Sequence, residues 1–587
     1  MLAPHCSRTA CALNEHVLEE IFSILCDTSH ATLRSLLLTN SLFNRLARPL
    51  LYRYIALNIA TANFMVEVQS WLADPAKAQI LQAIRHIRIE KIYVGYTTQP
   101  AHDPSVKLVG KVQDLTKRRS RSPPPRDTAE EWSALATLVA RTTQLRSLTF
   151  AVGEAVPLVL LRAIHDYPTP LHLHLAQWTR PSDAAPHDDP AELELARSPA
   201  LRSLHAVIYN PQRSHRDLRV PAFWRIVRAA PNLQSVELEI GDGGCVVRRE
   251  TADQVARWEA LALAFEHPEH RAPSQRAPGI RKLKIGAAEL AGWRGGDLSR
   301  VTHLECVGDL TLHALRSFTS LTHVTLESCE DVDEVLAACP PLASLAITGW
   351  THGVQLDTIL AYHAHTLDAL GLHEAERYDR DNPRETLSIA ALCRIRDACR
   401  RLAELSIDLN IQENPPPEHL STDDHQDVYA TLATIPRLRR LQLNYNLGIS
   451  SYSGGSGRAP SRHRRSASPA PADHAQVPLA DARFVEAVWG AVNRGRGASP
   501  IRELRVAQGE ARRRTGVGYP AGWVKWEQRR HQWFKAAPSE RDDEPDGIGV
   551  LTWLTKRKSL NCRQLRGLRE ETFEVLGATY ISRRYTS

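Results

Sequence analysis

Several things are missing from this sequence, and each absence narrows what the chain can be. Its ten cysteines include no Cys-x-x-Cys pair. Cys6 and Cys11 stand five apart and Cys393 and Cys399 six apart, without the rhythm of a disulfide framework or a zinc site. Scattered thiols of this kind predict reduced, mostly buried cysteines in an intracellular protein, in the cytoplasm, the nucleus or both. No Asn-x-Ser/Thr sequon occurs, in keeping with that compartment. The N-terminus carries Arg8 but no apolar run long enough for a signal peptide. The longest apolar stretch elsewhere, Val156 to Ile164, is well short of the roughly 18 residues that a spanning helix needs. No membrane partner is expected. The net charge is only +7 over 587 residues, so bulk charge points to neither nucleic acid nor lipid.

Motifs of catalysis are missing as well. There is no Gly-x-x-x-x-Gly-Lys phosphate loop and no Gly-x-Ser-x-Gly elbow. Gly516-x-Gly518-x-x-x-Gly522 misses the dinucleotide fingerprint by one position and reads as a turn. His172-x-His174 and His363-x-His365 could aim two imidazoles together on extended backbone, but no third and fourth ligands stand at metal spacing. No cofactor or metal is expected, and the chain is not expected to be an enzyme.

What is present is a repeat. Apolar residues make up 43% and charged residues 24%, an ordinary globular balance. Through the body runs the pattern apolar-x-x-apolar-x-apolar. It occurs at Ile84-Ile87-Ile89, Leu145-Leu148-Phe150, Leu201-Leu204-Val207 and Leu233-Val236-Leu238. It continues at Ile280-Leu283-Ile285, Val301-Leu304-Cys306, Leu321-Val324-Leu326 and Leu342-Leu345-Ile347. It ends with Leu367-Leu370-Leu372, Leu402-Leu405-Ile407, Leu438-Leu441-Leu443 and Ile501-Leu504-Val506.

From Ile280 to Leu367 the starts are 21, 20, 21 and 25 residues apart, the period of leucine-rich repeats. Elsewhere the gaps widen to 32, 35, 36, 47 and 56 residues or more, which implies insertions. The alternating end of each unit predicts a half-buried strand. Amphipathic helical segments precede several of them, at Phe223 to Val227, Val332 to Ala337, Ile359 to His363, Ile389 to Ala398 and Val428 to Ile435. Proline turns such as Ala230-Pro231 and Cys339-Pro340-Pro341 separate helix from strand. Such units bury their strands only by stacking them in parallel, so the expected fold is α/β, an irregular leucine-rich-repeat solenoid.

Lys107 to Asp127, Thr179 to Pro190 and Ser450 to Pro478 read as loops; the last is a Ser/Gly/Arg/Pro/Ala tract that cannot build a core. The arginine-rich stretches Lys117 to Arg126 and Arg458 to Arg465 read as solvated loops, or as nuclear-import or phosphorylation segments. In the tail, Trp523, Trp526 and Trp533 are interleaved with Lys525, Arg529 and Arg530. Trp526 and Trp533, seven apart, would share a helical face. They are expected to cap the last repeat. A nucleic-acid partner is not expected.

Ahead of the repeats stand two short helical pieces. Val17, Leu18, Ile21, Phe22 and Leu25 fall on one face of the first; Leu33, Leu36, Leu37, Phe43 and Leu46 fall on one face of the second, until Pro49 blocks further helix. A unit of this size is marginal alone and must lean on something, either the first repeat or another chain. The run Leu13-Asn14-Glu15-His16-Val17-Leu18, then Ile21-Phe22-x-x-Leu25, Leu33 to Leu38, Phe43 and Leu46-Ala47-Arg48-Pro49-Leu50-Leu51-Tyr52-Arg53 resembles an F-box. With the repeats it resembles the divergent F-box proteins abundant in fungi. Asn14 stands where that family usually has proline, and Thr39-Asn40 where it has a cysteine and a basic residue.

The resemblance implies a substrate receptor of a cullin–RING ubiquitin ligase. The box would dock on a Skp-family adaptor, and through it a cullin, and the repeat surface would bind a target protein. The adaptor-binding residues it implies are Leu13, Val17, Leu18, Ile21, Phe22, Leu25, Leu36, Leu37 and Phe43. The competing readings are a repeat scaffold that never meets a ligase and, behind it, an enzyme with an unrecognised site in the C-terminal part. The expected organisation is a tail at 1–12, the F-box-like unit at 13–56 and the solenoid at 57–510 with loops at 103–128 and 450–478. A cap or tail follows at 511–587.

Overall fold

The computed structural model describes residues 14–28, 30–59, 64–91, 107–109, 129–180, 189–209, 219–241, 279–291, 293, 297–327, 329, 331–349, 356–374, 386–410, 422, 425–446, 482–494, 496, 499–508, 532–538, 548–554 and 580–581. Leu13, the tail at 1–12, the basic stretches at 117–126 and 458–465, the tract at 450–478, and Trp523 and Trp526 lie outside the described residues. The chain divides into two units, Met1–Asp242 with Val246–Arg281 and Gly243–Cys245 with Lys282–Ser587. Both are α/β and are built on parallel strands. Among the described residues no helix is long and apolar enough to cross a membrane.

The first unit opens with α1 (Glu15–Thr28), α2 (His30–Leu37) and α3 (Ser41–Leu51). The stretch expected as a single second piece is therefore two helices. Asn40 divides them, because its side chain accepts the Phe43 N–H at 2.8 Å and so caps a new helix. Pro49 does not stop α3 at once. It lies in the last turn, where the missing N–H costs one internal bond, and the end is closed by the Tyr52 N–H reaching the Pro49 carbonyl at 3.2 Å.

The strands that follow are β1 (Tyr54–Asn58), β2 (His86–Glu90), β3 (Lys107–Val109), β4 (Ser147–Ala151), β5 (His172–Trp178), β6 (Leu201–Tyr209) and β7 (Ser235–Gly241). All pair in parallel, in the order β3-β1-β2-β4-β5-β6-β7. Between them lie α4 (Phe64–Ala73), α5 (Pro75–Ala83), α6 (Ala129–Arg141), α7 (Leu158–His165), α8 (Pro190–Ala196) and α9 (Arg219–Ala229).

Three of these strands differ from the sequence reading. β1 begins inside the span expected for the helical unit, β3 lies inside the expected loop at 103–128, and β5 matches no repeat instance. In β6 the buried position is Ala206 rather than Val207, since alternation from Leu204 brings residue 206 to the core.

The second unit carries β8 (Lys282–Gly286), β9 (His303–Val307), β10 (His323–Glu327), β11 (Ser344–Thr348), β12 (Ala369–His373), β13 (Glu404–Asn410), β14 (Arg440–Asn446) and β15 (Glu503–Gln508). They pair in chain order, all parallel. The helices are α10 (Ala287–Ala291), α11 (Leu312–Leu315), α12 (Val332–Ala338), α13 (Leu356–His363), α14 (Ile389–Ala398), α15 (Gln426–Ala433) and α16 (Ala482–Asn493).

The middle apolar residue of each repeat forms one column: Leu283, Leu304, Val324, Leu345, Leu370, Leu405, Leu441 and Leu504 are successive register partners, all buried. Burying each such side chain stabilises by about 1.5–3 kcal/mol. Beyond β15 come β16 (Gln532–Pro538), β17 (Ile548–Leu554) and β18 (Tyr580–Ile581), which pair antiparallel and cover the edge of β15. Trp533 thus stands in a strand opposite Ala507, not on a helical face shared with Trp526.

Candidate functional site

The helical unit has an inside and an outside, and adjacent residues of α1 fall on different sides. Leu18, Phe22 and Cys26 join Leu33, Leu46, Ala47 and Leu51 in a core of their own. Phe22 is 2% exposed and meets the Phe43 ring edge-on at 5.2 Å. Leu25, Leu36, Leu37 and Phe43 pack half-buried against this core. Leu18 and Phe22 therefore leave the set expected to meet an adaptor, because the core of the helical unit encloses them while their neighbours Val17 and Ile21 stay exposed.

Val17 and Ile21 face outward, Ile21 at 39% exposure, and Ile24 continues their line at 59%. Residues 17, 21 and 24 follow the spacing i, i+4, i+7, one stripe along α1. Leu38, at the α2–α3 junction, is 88% exposed. The sequence reading missed Ile24 and Leu38, though Ile24 was signalled by its spacing of three from Ile21.

The unit is fastened at both ends. Glu15 on α1 pairs with Arg45 on α3 at 2.5 Å. The Tyr52 ring meets Trp71 of α4 at 6.2 Å, which ties the end of α3 to the first repeat. A cleft of about 670 Å³ lies beside α3, lined by Leu37, Leu38, Asn44, Arg48, Pro49 and Ile80 among others.

The solvent side of the strands forms a second candidate surface in each unit. In the first, Tyr54 stacks on His86 at 4.3 Å, and His86 Nδ1 lies 2.7 Å from Ser147 Oγ. Burial, and after it the guanidinium groups of Arg53, Arg146 and Arg85, push the His86 pKa down to about 4. On β5, His172 and His174 share the same side, and His174 Nδ1 is 2.9 Å from Ser203 Oγ. Further along, His205, Glu237 and Glu239 bring three ligand-type atoms within 4.8 Å of one another, a grouping made by register rather than by sequence spacing. His363 of the other histidine pair is buried in the second unit, where it accepts the Leu342 N–H and donates to the Leu336 carbonyl.

In the second unit the strand face has a floor of small residues. Ala346, Gly371 and Ser406 are register partners, and a Cβ on Gly371 would stand 3.5 Å from that of Ala346 and 3.7 Å from that of Ser406. On one side His303 stacks on His323 at 4.0 Å. On the other, His373, Asp408 and Asn444 form a bonded row on β12, β13 and β14. Asp408 and Asn444 are buried and bonded within the row, while His303, His323 and His373 are partly exposed. No family model matches this chain, and no curated protein does.

Proposed function

We propose that the chain is the substrate-recognition subunit of a cullin–RING ubiquitin ligase: the helical unit is an F-box that docks on a Skp-family adaptor. The body is an irregular leucine-rich-repeat solenoid whose strand face binds the target protein. The reading gives the chain no catalytic step of its own and places it inside the cell, in keeping with buried, unpaired thiols at Cys306, Cys329, Cys339 and Cys399.

One observation supports it above the others. The helical unit already has its own core and is tied to the first repeat, yet α1 still turns Val17, Ile21 and Ile24 outward in a continuous apolar stripe. A stripe left over after the core is complete supports the reading of a partner surface. The fastening through Tyr52 and Trp71 favours a second reading, in which the helices only cap the first repeat of a scaffold that never meets a ligase.

Co-purification with a Skp-family adaptor separates the two. The native chain retains the adaptor, and the double substitution Val17→Asp and Ile21→Asp abolishes retention, since apolar anchors at interface centres contribute about 2–4 kcal/mol. A native chain that never retains the adaptor, or a double variant that retains it equally, defeats the ligase reading in favour of the cap.

A further inference from the structure

One backbone position recurs at the entry to the strands, immediately before the first outward-facing residue. In the first unit Arg53, Arg85 and Arg146 hold it on β1, β2 and β4. The rungs are bonded in sequence: the Arg85 N–H donates to the Arg53 carbonyl at 2.9 Å and the Arg146 N–H to the Arg85 carbonyl at 2.7 Å. Neighbouring strands lie about 4.8 Å apart, so three arginines leave the backbone one strand spacing apart along a single rim. Farther along the same unit Arg202 holds the corresponding place, its carbonyl accepting the Gln234 N–H at 2.9 Å.

The fold does not demand arginine there. In the second unit the same bonds join Thr302, Thr322, Ala343, Asp368 and Ala403 at that position, and only its last two rungs, Arg439 and Arg502, are arginine. Those strands are as regular as the ones in the first unit.

Among the described residues no carboxylate pairs with Arg53, Arg85 or Arg146. Glu90 is engaged by Arg88 at 2.9 Å, and Glu154 by Lys91. Burial, followed by the charges of Arg53 and Arg146, lowers the pKa of Arg85. Arg53 Nε is shut off from solvent without a hydrogen-bond partner among the described residues. Its guanidinium sits 6.0 Å from the centre of the Tyr54 ring, which already stacks on His86. Guanidinium groups stay charged at any working pH, so an anion bound along the rim relieves their mutual repulsion.

We propose that the rim formed by Arg53, Arg85 and Arg146 binds an acidic α-helical segment of a partner protein, one carboxylate to each guanidinium. A guanidinium fork takes a carboxylate through two parallel hydrogen bonds. Carboxylates at i, i+4 and i+7 of a helix recur every 5–6 Å or so, close to the strand spacing, so a helix laid across the strand entries keeps pace with three rungs. Single-stranded nucleic acid fits less well, because base stacking needs a free aromatic face and Tyr54 is already engaged on the rim. The inference rests on reading the strand side as the target-binding face, but not on adaptor docking.

The test is fluorescence anisotropy of the full chain, without adaptor, against a labelled helix-forming peptide of about 20 residues with glutamates on one face. A matched peptide carries glutamine at each of those places. The native chain binds the glutamate peptide, more weakly as salt is raised, and does not bind the glutamine peptide. R85E/R146E lowers affinity at least about tenfold, while R505E, on the second unit's strands, leaves it unchanged. R85Q/R146Q removes the charge without reversing it and shows the same direction of loss at an unchanged thermal midpoint. Equal binding of the glutamine peptide, or undiminished binding by R85E/R146E and R85Q/R146Q, overturns the proposal. So does displacement of the glutamate peptide by lower concentrations of polyuridine than of the unlabelled peptide itself. Loss of adaptor retention in the earlier co-purification leaves all of these outcomes unaffected, so the two readings fail separately.

Discussion

Asp408 Oδ1 lies 2.7 Å from His373 Nδ1 across the neighbouring strands β12 and β13, and the carboxylate is 3% exposed. Its second oxygen accepts the Glu374 N–H at 2.6 Å, and Asn444 Nδ2 reaches Oδ1 from β14 at 3.1 Å. One buried carboxylate thus links the ends of three strands. Asp408→Ala strands several buried donors at once and is expected to lower stability by about 3–5 kcal/mol. Asp408→Asn keeps one acceptor and loses less. Urea unfolding monitored by circular dichroism ranks the two, and equal loss for both variants would show that shape rather than hydrogen bonding matters at this position.

Glu192 repeats the theme in the first unit, with two cations in place of one histidine. Its oxygens lie 2.6 Å from Arg180 Nε and 3.0 Å from Arg225 Nη2, and all three side chains are buried. Burial raises the pKa of Glu192 on balance, against the opposing pull of the two guanidinium groups. Glu192→Ala leaves two buried cations uncompensated and is expected to cost about 3–5 kcal/mol. Replacing all three by apolar residues of similar volume removes the charges together and is expected to restore most of that loss. A triple variant as unstable as Glu192→Ala would mean that packing, not charge, is what Glu192 supplies.

The histidines of both units predict acid sensitivity above the range where carboxylates titrate. The His86 pKa falls from 6.5 to about 4 on folding, and those of His172, His174, His303 and His363 are lowered as well, burial being the largest cause in each. Below the unfolded value the unfolded chain binds protons that the folded chain refuses. Stability is therefore full above about pH 6.5 and drains away as the pH falls toward 4. The urea midpoint should decline across that window, and His86→Asn should flatten part of the slope. A midpoint constant between pH 7 and 4.5 would contradict the burial of these imidazoles.

Much of the second unit was legible in the sequence. Starts 20 to 25 residues apart place Leu304, Val324, Leu345 and Leu370 in one column, because each unit repeats the same strand pattern and parallel stacking sets like positions side by side. β5 escaped because Leu171-x-Leu173-x-Leu175 begins with a step of two where its neighbours have a step of three. β1 was hidden in plain view, since Tyr52-x-x-Ile55-x-Leu57 fits the repeat but was absorbed into the helical unit.

The arginine rim was only partly legible. Arg85 and Arg146 each follow the first apolar residue of a repeat, and Arg53 follows Tyr52 in the same place, but only the structure puts the three on neighbouring strands. The same holds for the two sides of α1. Apolar spacing groups Val17, Leu18, Ile21 and Phe22 together, and only the presence of α3 decides which pair is enclosed.

That division on α1 separates stability from recognition within a single pair of neighbours. Phe22 fills the core of the helical unit between Leu18, Cys26 and Phe43, so Phe22→Ala empties an enclosed site and is expected to cost about 3–5 kcal/mol. Ile21, one residue away, faces outward, and Ile21→Asp is expected to change stability by less than about 1 kcal/mol. Adaptor retention should follow the opposite order once stability is controlled. At a temperature where both variants are folded, Ile21→Asp loses the adaptor while Phe22→Ala keeps it in proportion to its folded fraction. Thermal melts of the two variants beside adaptor pull-downs give both orders. If Ile21→Asp melts as early as Phe22→Ala, the outward stripe belongs to the fold and not to a partner.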